Sequence, residues 1–305
     1  MWLLFGILTT LSWGAADLFY KKGSDSRDPL SHLKIVVTVG FVMGLHAAVY
    51  ALYMWAKGEP FEPYSLVIYL PVSFMYILSM TLGYVGLRYI ELSVSAPIQN
   101  SSGAAVALMC FFILGESVSC LQAAAIVLIS AGVFALSALE KKSADRTRLA
   151  SGETTDKKYS VSAVAIIFPL LYCLVDAMGT FLDDIWLNEE APKLSEDNAL
   201  VAYELTFFIC AAIAFIYIAA IKKEKLRIRD QRDRGVAALF EVAGQFFYVF
   251  IIGGSGVVVA PLVSAYCVVS MILSRVVLKE KLSRTQYGVA AVVVAGIVML
   301  AAAES

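Results

Sequence analysis

The sequence predicts an all-α integral membrane protein with ten transmembrane helices that form two inverted five-helix repeats. Composition, an internal repeat and the placement of basic residues predict this fold class. Of the 305 residues, 60% are hydrophobic and 16% are charged. Soluble domains carry about 25% charged residues, and about 20 apolar helical residues cross a hydrocarbon layer. Because the chain contains many apolar runs of that length, its composition excludes a soluble fold.

We expect five membrane spans on each side of one polar stretch. That stretch, residues 140–159, is rich in Lys, Ser, Thr and Asp, which is typical of a linker. The chain then divides into a first half at 1–139, a cytoplasmic linker at 140–159 and a second half at 160–305. The predicted spans are about 1–20, 34–56, 65–88, 93–114, 118–138, 160–182, 199–221, 235–253, 256–278 and 284–302.

A segment of 55 residues occurs twice. Tyr84–Ala138 aligns without gaps on Tyr248–Ala302, 164 residues later, with 13 identical positions. Internal repeats in membrane proteins usually mark two structural halves around a central site. The informative identities are Tyr84 with Tyr248, Ala96-Pro97 with Ala260-Pro261, Glu116 with Glu280, Ser119 with Ser283, Gln122 with Gln286, and Gly132 with Gly296.

Basic residues are concentrated in alternate loops. Of the 24 Lys and Arg residues, 22 follow odd-numbered spans, and the other two are Lys57 and Lys193. The positive-inside rule therefore places the odd-numbered loops in the cytoplasm and both termini outside it. Because five spans is an odd number, the second half enters the membrane upside down. Inverted repeats place a site near mid-membrane and permit alternating access.

Ionisable and polar side chains within spans are candidate functional residues, because an unpaired charge inside a bilayer is costly. In span 8, Glu241, Gln245 and Tyr248 are spaced i, i+4, i+7 and share one helix face. This stripe predicts either the lining of a cavity or a hydrogen-bonding patch between helices.

Spans 1 and 6 carry the same aromatic-to-aspartate spacing of four residues. The pairs are Trp13 with Asp17 and Tyr172 with Asp176. Because these spans are equivalent in the two halves, the match is either inherited from the duplication or a coincidence. For Asp17, an interfacial ion pair with Lys21, one turn away, explains the residue equally well.

Polar residues also follow the repeated proline of spans 4 and 9. A proline frees a backbone carbonyl and bends a helix, so nearby polar side chains either satisfy that carbonyl or face a substrate. We expect Asn100 and Tyr266 to line the pathway. The polar residues after Pro97 are Gln99, Asn100, Ser101 and Ser102, and those after Pro261 are Ser264 and Tyr266.

Two further groups of polar residues have simpler explanations. His46 and Tyr50 share a face of span 2, and a single histidine among apolar neighbours is usually a packed, hydrogen-bonded residue. Glu204 of span 7 is expected near the outer membrane interface. The segment 183–198 carries six acidic residues against Lys193. We expect a solvated loop there, or a surface that raises the local concentration of a cation.

Several of these features resemble a known family. They are the ten spans in a 5+5 duplication, Trp13-Gly14, the two Ala-Pro pairs and the Gly115-Glu116 turn. Together they resemble the EamA branch of the drug/metabolite transporter superfamily over nearly the whole chain. The second-half turn, Lys279-Glu280-Lys281, departs from Gly-Glu. The resemblance implies a multi-pass transporter in the cell membrane, whose relatives move amino acids, amines, sugars or nucleotide-linked sugars.

We expect a transporter and not an enzyme, without a cofactor or metal. The chain has no phosphate-binding Gly-Lys-Ser/Thr loop and only two histidines. Carboxylates and aromatic rings suit an organic cation or zwitterion, and a carboxylate in a dry cavity can carry a proton. The expected substrate-binding residues are Trp13, Tyr84, Asn100, Tyr172, Asp176, Glu241, Gln245, Tyr248 and Tyr266. The proton-coupling candidates are Glu241, Asp176 and Asp17.

Two alternatives stay open. The chain could transport a neutral or anionic solute, such as a sugar or sugar conjugate, through the polar residues around Asn100. It could also be a membrane scaffold without transport. The expected partners are a small-molecule substrate, the lipid bilayer and protons, without nucleic acid. Small-residue faces of spans 5 and 10 suit close helix packing, as scaffold or as the seam of a homodimer.

Overall fold

The computed structural model describes residues 1–23, 28–86, 99–151, 163–188, 192–277, 279 and 282–303, and it is α-helical, with no strand among them. The helices are α1 Trp2–Gly23, α2 Ser31–Lys57, α3 Ser65–Ile68, α4 Leu70–Gly86, α5 Ser102–Met109, α6 Cys120–Ser151, α7 Ala163–Trp186, α8 Glu196–Ile216, α9 Arg232–Ile252, α10 Gly256–Ser264, α11 Tyr266–Val277 and α12 Arg284–Ala303. Short π-helices extend α5 through Cys110–Leu114 and α8 through Tyr217–Ile221.

The helical segments are those of a membrane protein. Among the described residues, six are long and apolar enough to span a bilayer: Trp2–Tyr20, Ser31–Lys57, Glu196–Ile221, Ile228–Ile252, Gly256–Val277 and Arg284–Ala303. Shorter apolar helices run through Leu70–Leu82, Ser102–Leu114 and Cys120–Leu136. Helix α6 continues to Ser151, so the first part of the predicted linker is helical.

The chain forms two compact units, and each draws on both halves of the sequence. The first unit contains Met1–Ile77 and Leu182–Gly254, and the second contains Leu78–Phe181 and Ser255–Ser305. In the first unit, α1 packs against α9, and α2 packs against both α8 and α9. In the second unit, α6 packs against α12, and α5 packs against α10. The division into halves at 139 and 160 stays a prediction.

Glycines allow α2 and α8 to approach closely. A Cβ atom on Gly40 would lie 2.8 Å from the Phe207 carbonyl oxygen, and one on Gly44 would lie 2.7 Å from Cγ of Phe208. Both distances are too short for a real side chain. Two glycines four residues apart on one face are the small-residue pattern that brings membrane helices together.

The repeated residues of spans 5 and 10 have equivalent roles in the second unit. Ser119 and Gln122 form a reciprocal cap before α6, with N–O distances of 2.7 and 3.2 Å. Ser283 and Gln286 form the same cap before α12, at 2.8 and 3.2 Å. In each cap, the two side chains accept hydrogen bonds from two backbone N–H groups that would otherwise be free at the start of the helix. The repeat therefore preserves the residues that begin these two helices.

Two breaks occur at equivalent positions of the repeat. The helical segment Gly256–Val277 is interrupted at Ala265, between α10 and α11, and α5 begins at Ser102 after a turn at Asn100 and Ser101. Glu116 accepts hydrogen bonds from Ser255 Oγ at 2.9 Å and from the Val257 N–H at 3.4 Å, so it caps α10. Pro97, which is the copy of Pro261, and Glu280, which is the copy of Glu116, lie outside the described residues.

A buried arginine joins the ends of three helices in the first unit. Arg234, at the start of α9, donates from Nε to the Gly23 carbonyl at the end of α1 at 2.9 Å. Its Nη2 donates to Ser31 Oγ at the start of α2 at 3.1 Å, and its Nη1 donates to Gln231 Oε1 at 2.7 Å. The guanidinium thereby satisfies polar groups at helix ends that would otherwise be orphaned.

Candidate functional site

An aromatic pair links α1 and α9 in the first unit. The ring centroids of Trp13 and Tyr248 lie 5.2 Å apart with the planes tilted by 42°. The indole lies directly over Gly244, where a Cβ atom would overlap it, so the glycine makes room for the ring. Thr9 Oγ1 adds a hydrogen bond of 3.3 Å to the Gly244 carbonyl. The helix contact therefore presents two aromatic side chains side by side.

A carboxylate with no exposed surface lies at the end of this aromatic group. Asp183 accepts hydrogen bonds from the hydroxyls of Tyr69 and Tyr76, the latter at 3.1 Å. The hydroxyl oxygens of Tyr76 and Tyr248 lie 3.1 Å apart. Because the Tyr76 hydroxyl donates its hydrogen bond to Asp183, it accepts a hydrogen bond from the Tyr248 hydroxyl. This chain of hydrogen bonds is polarised toward the carboxylate.

Two buried donors beside this aromatic group lack a hydrogen-bond partner among the described residues. Trp13 Nε1 and Gln245 Nε2 make no hydrogen bond to the part of the chain that the structure describes. Gln245 is 4% exposed. A buried N–H without a partner costs about 1–3 kcal/mol, so native proteins rarely retain one without a reason. These groups suit the acceptor atoms of a ligand.

The predicted stripe on α9 faces α1, and its members have different partners. Glu241 accepts a hydrogen bond of 3.3 Å from the Tyr20 hydroxyl, while Tyr248 contacts Trp13. Asp17, the third proton-coupling candidate, is exposed on α1. The structure thus brings Trp13, Gln245 and Tyr248 into one region of α1 and α9, with Glu241 farther along α9.

The remaining predicted residues belong to the second unit. Ser79 Oγ donates to Asp176 Oδ1 at 3.2 Å, and the Tyr266 hydroxyl donates to Asn100 Oδ1 at 3.2 Å. Tyr172 lies half-buried on α7. Asp176 thus contacts α4, and Asn100 contacts the start of α11. The side chain of Tyr84 lies outside the described residues, so its role stays a prediction.

The expectation of a solvated loop or an acidic surface at 183–198 was wrong for Asp183 and Asp184. Helix α7 continues to Trp186, and the two residues are 0% and 2% exposed. A signal was present, because Asp183 follows Asp176 by seven residues and therefore shares its helix face. Tyr69 and Tyr76 are also seven residues apart. The apparent end of the apolar run at Leu182 hid both patterns.

The Asp183 carboxylate has no basic neighbour among the described residues. The buried carboxylate of Asp183 has no lysine, arginine or histidine within ion-pair distance in the described part of the chain. Within the described residues, tyrosine hydroxyls are the groups hydrogen-bonded to it. Tyrosine and tryptophan rings next to an unneutralised carboxylate attract an organic cation, and the free donors suit an anionic or hydroxyl group.

Comparison with known proteins identifies the family of the chain. The EamA-like transporter family matches residues 1–138 and 194–302. No curated protein sequence matches the chain. A solved structure described as "Crystal structure of protein" is similar, with a TM-score of 0.71 and 14% identity over 97% of this chain and 94% of that chain. That similarity shows the fold alone. Because the family match covers most of the sequence, this chain belongs to the EamA-like transporter family, whose members are multi-pass membrane transporters of small molecules.

Proposed function

We propose that this protein is a secondary transporter of an organic cation or zwitterion that works by alternating access. The substrate class rests on one observation, the buried carboxylate of Asp183 with Tyr69, Tyr76, Tyr248 and Trp13 around it. The carboxylate supplies the charge for a cation, and the rings supply faces for it. No lysine, arginine or histidine of the described residues lies within ion-pair distance of this carboxylate.

A zwitterion fits better than a simple amine. The N–H donors of Trp13 and Gln245 need an acceptor, and the carboxylate of an amino acid or betaine would supply one. The same donors suit the hydroxyl groups of a sugar, which keeps the neutral or anionic solute as a second candidate. A binding test must therefore separate the effect of a ligand's positive charge from the effect of its hydrogen-bond acceptor atoms.

We also propose ten spans in two inverted halves. The four segments beyond the six long apolar ones are α4, α5 with its π-extension, the apolar part of α6, and α7. Three helix pairs join equivalent spans of the two halves: α2 with α8, α5 with α10 and α6 with α12. A two-fold axis produces pairings of this kind. Interrupted helices such as α10–α11 are characteristic of transporter binding sites.

The substrate class is tested by thermal-shift measurements on the purified protein. Zwitterionic amino acids and betaines should raise the melting temperature, quaternary amines should raise it less, and sugars and nucleotides should not change it. Trp13→Phe, which removes the indole N–H and keeps a ring, should weaken zwitterion binding by about tenfold and leave quaternary amines within about twofold. A shift with sugars alone would support the second candidate.

Proton coupling through Glu241 is tested in proteoliposomes. Glu241→Gln should abolish accumulation driven by a pH gradient, while exchange of labelled substrate at equal pH continues. Proton-driven accumulation equal to wild type would remove Glu241 from the coupling mechanism. If no solute of any class moves or binds, the scaffold interpretation replaces the transporter.

A further inference from the structure

A second acidic residue in the first unit is paired with a histidine, and neither belongs to the expected substrate or proton residues. His46 Nδ1 on α2 lies 2.9 Å from Oε1 and 2.8 Å from Oε2 of Glu204 on α8. The Glu204 side chain has no exposed surface, whereas the His46 side chain is 30% exposed. Within the described residues, the imidazole is the one side chain bonded to this carboxylate.

Polar and aromatic groups surround the pair. The Tyr50 ring stacks beside His46 with centroids 5.8 Å apart, and its hydroxyl donates to Asp197 at 2.5 Å. From α9, the Phe246 ring meets the imidazole edge-on at 6.4 Å. Helix α3 packs against α8 and consists of Ser, Leu, Val and Ile. The titratable side chains that continue this group are Tyr53, whose ring lies 5.6 Å from that of Tyr50, and Lys57, whose Nζ lies 4.5 Å from the Tyr53 ring. On α8 they are Asp197, which accepts from Tyr50, and Tyr203, the neighbour of Glu204 in sequence.

The charge on the pair depends on one proton. A carboxylate buried between membrane-spanning helices is costly unless a cation or a proton neutralises it. Imidazole is the side chain that gains and loses its proton near physiological pH. With the proton present, His46 and Glu204 form an ion pair of zero net charge. Without it, one buried negative charge remains, because the nearby Lys57 is exposed to solvent and lies over the Tyr53 ring, and no basic side chain of the described residues other than His46 pairs with Glu204.

We propose that His46 and Glu204 form a proton-binding site. A proton from the solvent enters at the partly exposed imidazole, and the pair holds it as Nδ1–H against the Glu204 carboxylate. The proton leaves by the same ring, and no other bond forms or breaks. The inference goes beyond the proposed function, because proton binding here requires no substrate. Helices α2 and α8 come from opposite halves of the sequence. Binding of a proton by the pair therefore changes the strength of one contact between these two helices.

The test is a substrate-free histidine titration of the purified full-length chain. The chain has only two histidines, so in a His32→Gln background the ring signal of labelled histidine in NMR comes from His46 alone. We expect one protonation step in this background, and Glu204→Gln should move its midpoint by at least about one pH unit. Asp197→Asn is the matched control, because it removes a nearby acid that does not contact the ring, and its midpoint should move by less than about 0.5 units.

A second measurement guards against a variant that does not fold. Proton uptake by unliganded protein, counted by potentiometric titration between about pH 5 and pH 9, should fall by about one proton per chain in His46→Gln. An unchanged His46 midpoint in folded Glu204→Gln, or unchanged proton uptake in His46→Gln, would overturn the proposal. Because no substrate is present, either result stands apart from whether the protein moves an amine or a sugar.

Discussion

Among the described residues, Asp183 is hydrogen-bonded to tyrosine hydroxyls and has no basic side chain within ion-pair distance, so in the proposed site its carboxylate is available to a cationic ligand. Two tyrosines donate to its oxygens, and a third tyrosine donates into the same chain of hydroxyls. Hydrogen bonds reduce the cost of burying the charge without cancelling it. A cation that enters beside Tyr76 and Tyr248 therefore meets an electrostatic field that the protein alone does not neutralise.

This arrangement predicts the effect of Asp183→Asn, which keeps the shape of the side chain and removes its charge. Binding of the cationic or zwitterionic ligand should weaken by at least about tenfold, which corresponds to about 1.4 kcal/mol. Isothermal titration calorimetry on the purified variant measures this loss.

Tyr69→Phe is the control for the lost hydrogen bond. It removes one donor to Asp183 and leaves the charge, so binding should change by less than about fivefold. Equal affinity in Asp183→Asn and wild type, in a protein with an unchanged melting temperature, would show that the carboxylate is only structural.

A carboxylate outside the membrane predicts a pH dependence of stability. Burial raises the pKa of Asp28, but the hydrogen bond from Lys34 and that from the Leu30 N–H outweigh it, so the net pKa is lowered. A lowered pKa contributes stability that is complete above the ordinary value and is lost as the pH falls through the lowered value.

The expected consequence is a pH-dependent gap between wild type and Asp28→Asn. The variant should melt at a lower temperature than wild type at pH 7, and the gap should be smaller at a pH below 3.8, the ordinary pKa of an aspartate. Differential scanning fluorimetry at the two pH values measures the gap. A gap of constant size would mean that Asp28 contributes through shape and not through charge.

At the scale of helices, close contact between α2 and α8 depends on residues without side chains. Gly40→Ala would place a Cβ atom against Ala211 and the Phe207 carbonyl, so it should destabilise the fold by about 1–3 kcal/mol. Gly235→Ala is the matched control, since no atom lies within 4 Å of its Cβ position in α9. There the greater helix propensity of alanine should leave stability unchanged or raise it by up to about 1 kcal/mol.

Melting temperatures of both variants under the same detergent conditions test this prediction. If Gly40→Ala and Gly235→Ala melt alike, the two helices are able to separate slightly at little cost, and the close contact does not contribute to stability.

Local signals in the sequence predicted the helices better than the site. The Ser-x-x-Gln pairs and the repeated glycines correctly marked equivalent helices, because caps and close contacts depend on neighbouring residues or on one helix face. The helix face shared by Glu241, Gln245 and Tyr248 could also be recognised from the sequence. The hydrogen-bond partners of Asp183 and Glu204 could not be recognised from the sequence, because Tyr69 and His46 lie more than 100 residues away from them.

At the scale of the whole molecule, the sequence predicted membrane helices and family, and it did not predict which helices form each compact unit. Hydropathy is a property of one segment, whereas the mixing of both halves in each unit depends on contacts between distant segments. The pairing of equivalent helices within these units supports the proposal that a five-helix element was duplicated.

The most direct measurement of that doubling is the orientation of its two copies in the membrane. Ser117 and Lys281 occupy equivalent positions in the repeat, 164 residues apart. Each is replaced singly by cysteine in a variant without the five native cysteines, and intact cells are treated with a thiol reagent that does not cross the membrane. We expect Ser117→Cys to be labelled from outside and Lys281→Cys to be labelled only after permeabilisation. Labelling of both positions from the same side would contradict inverted halves, and with them the proposed alternating-access mechanism.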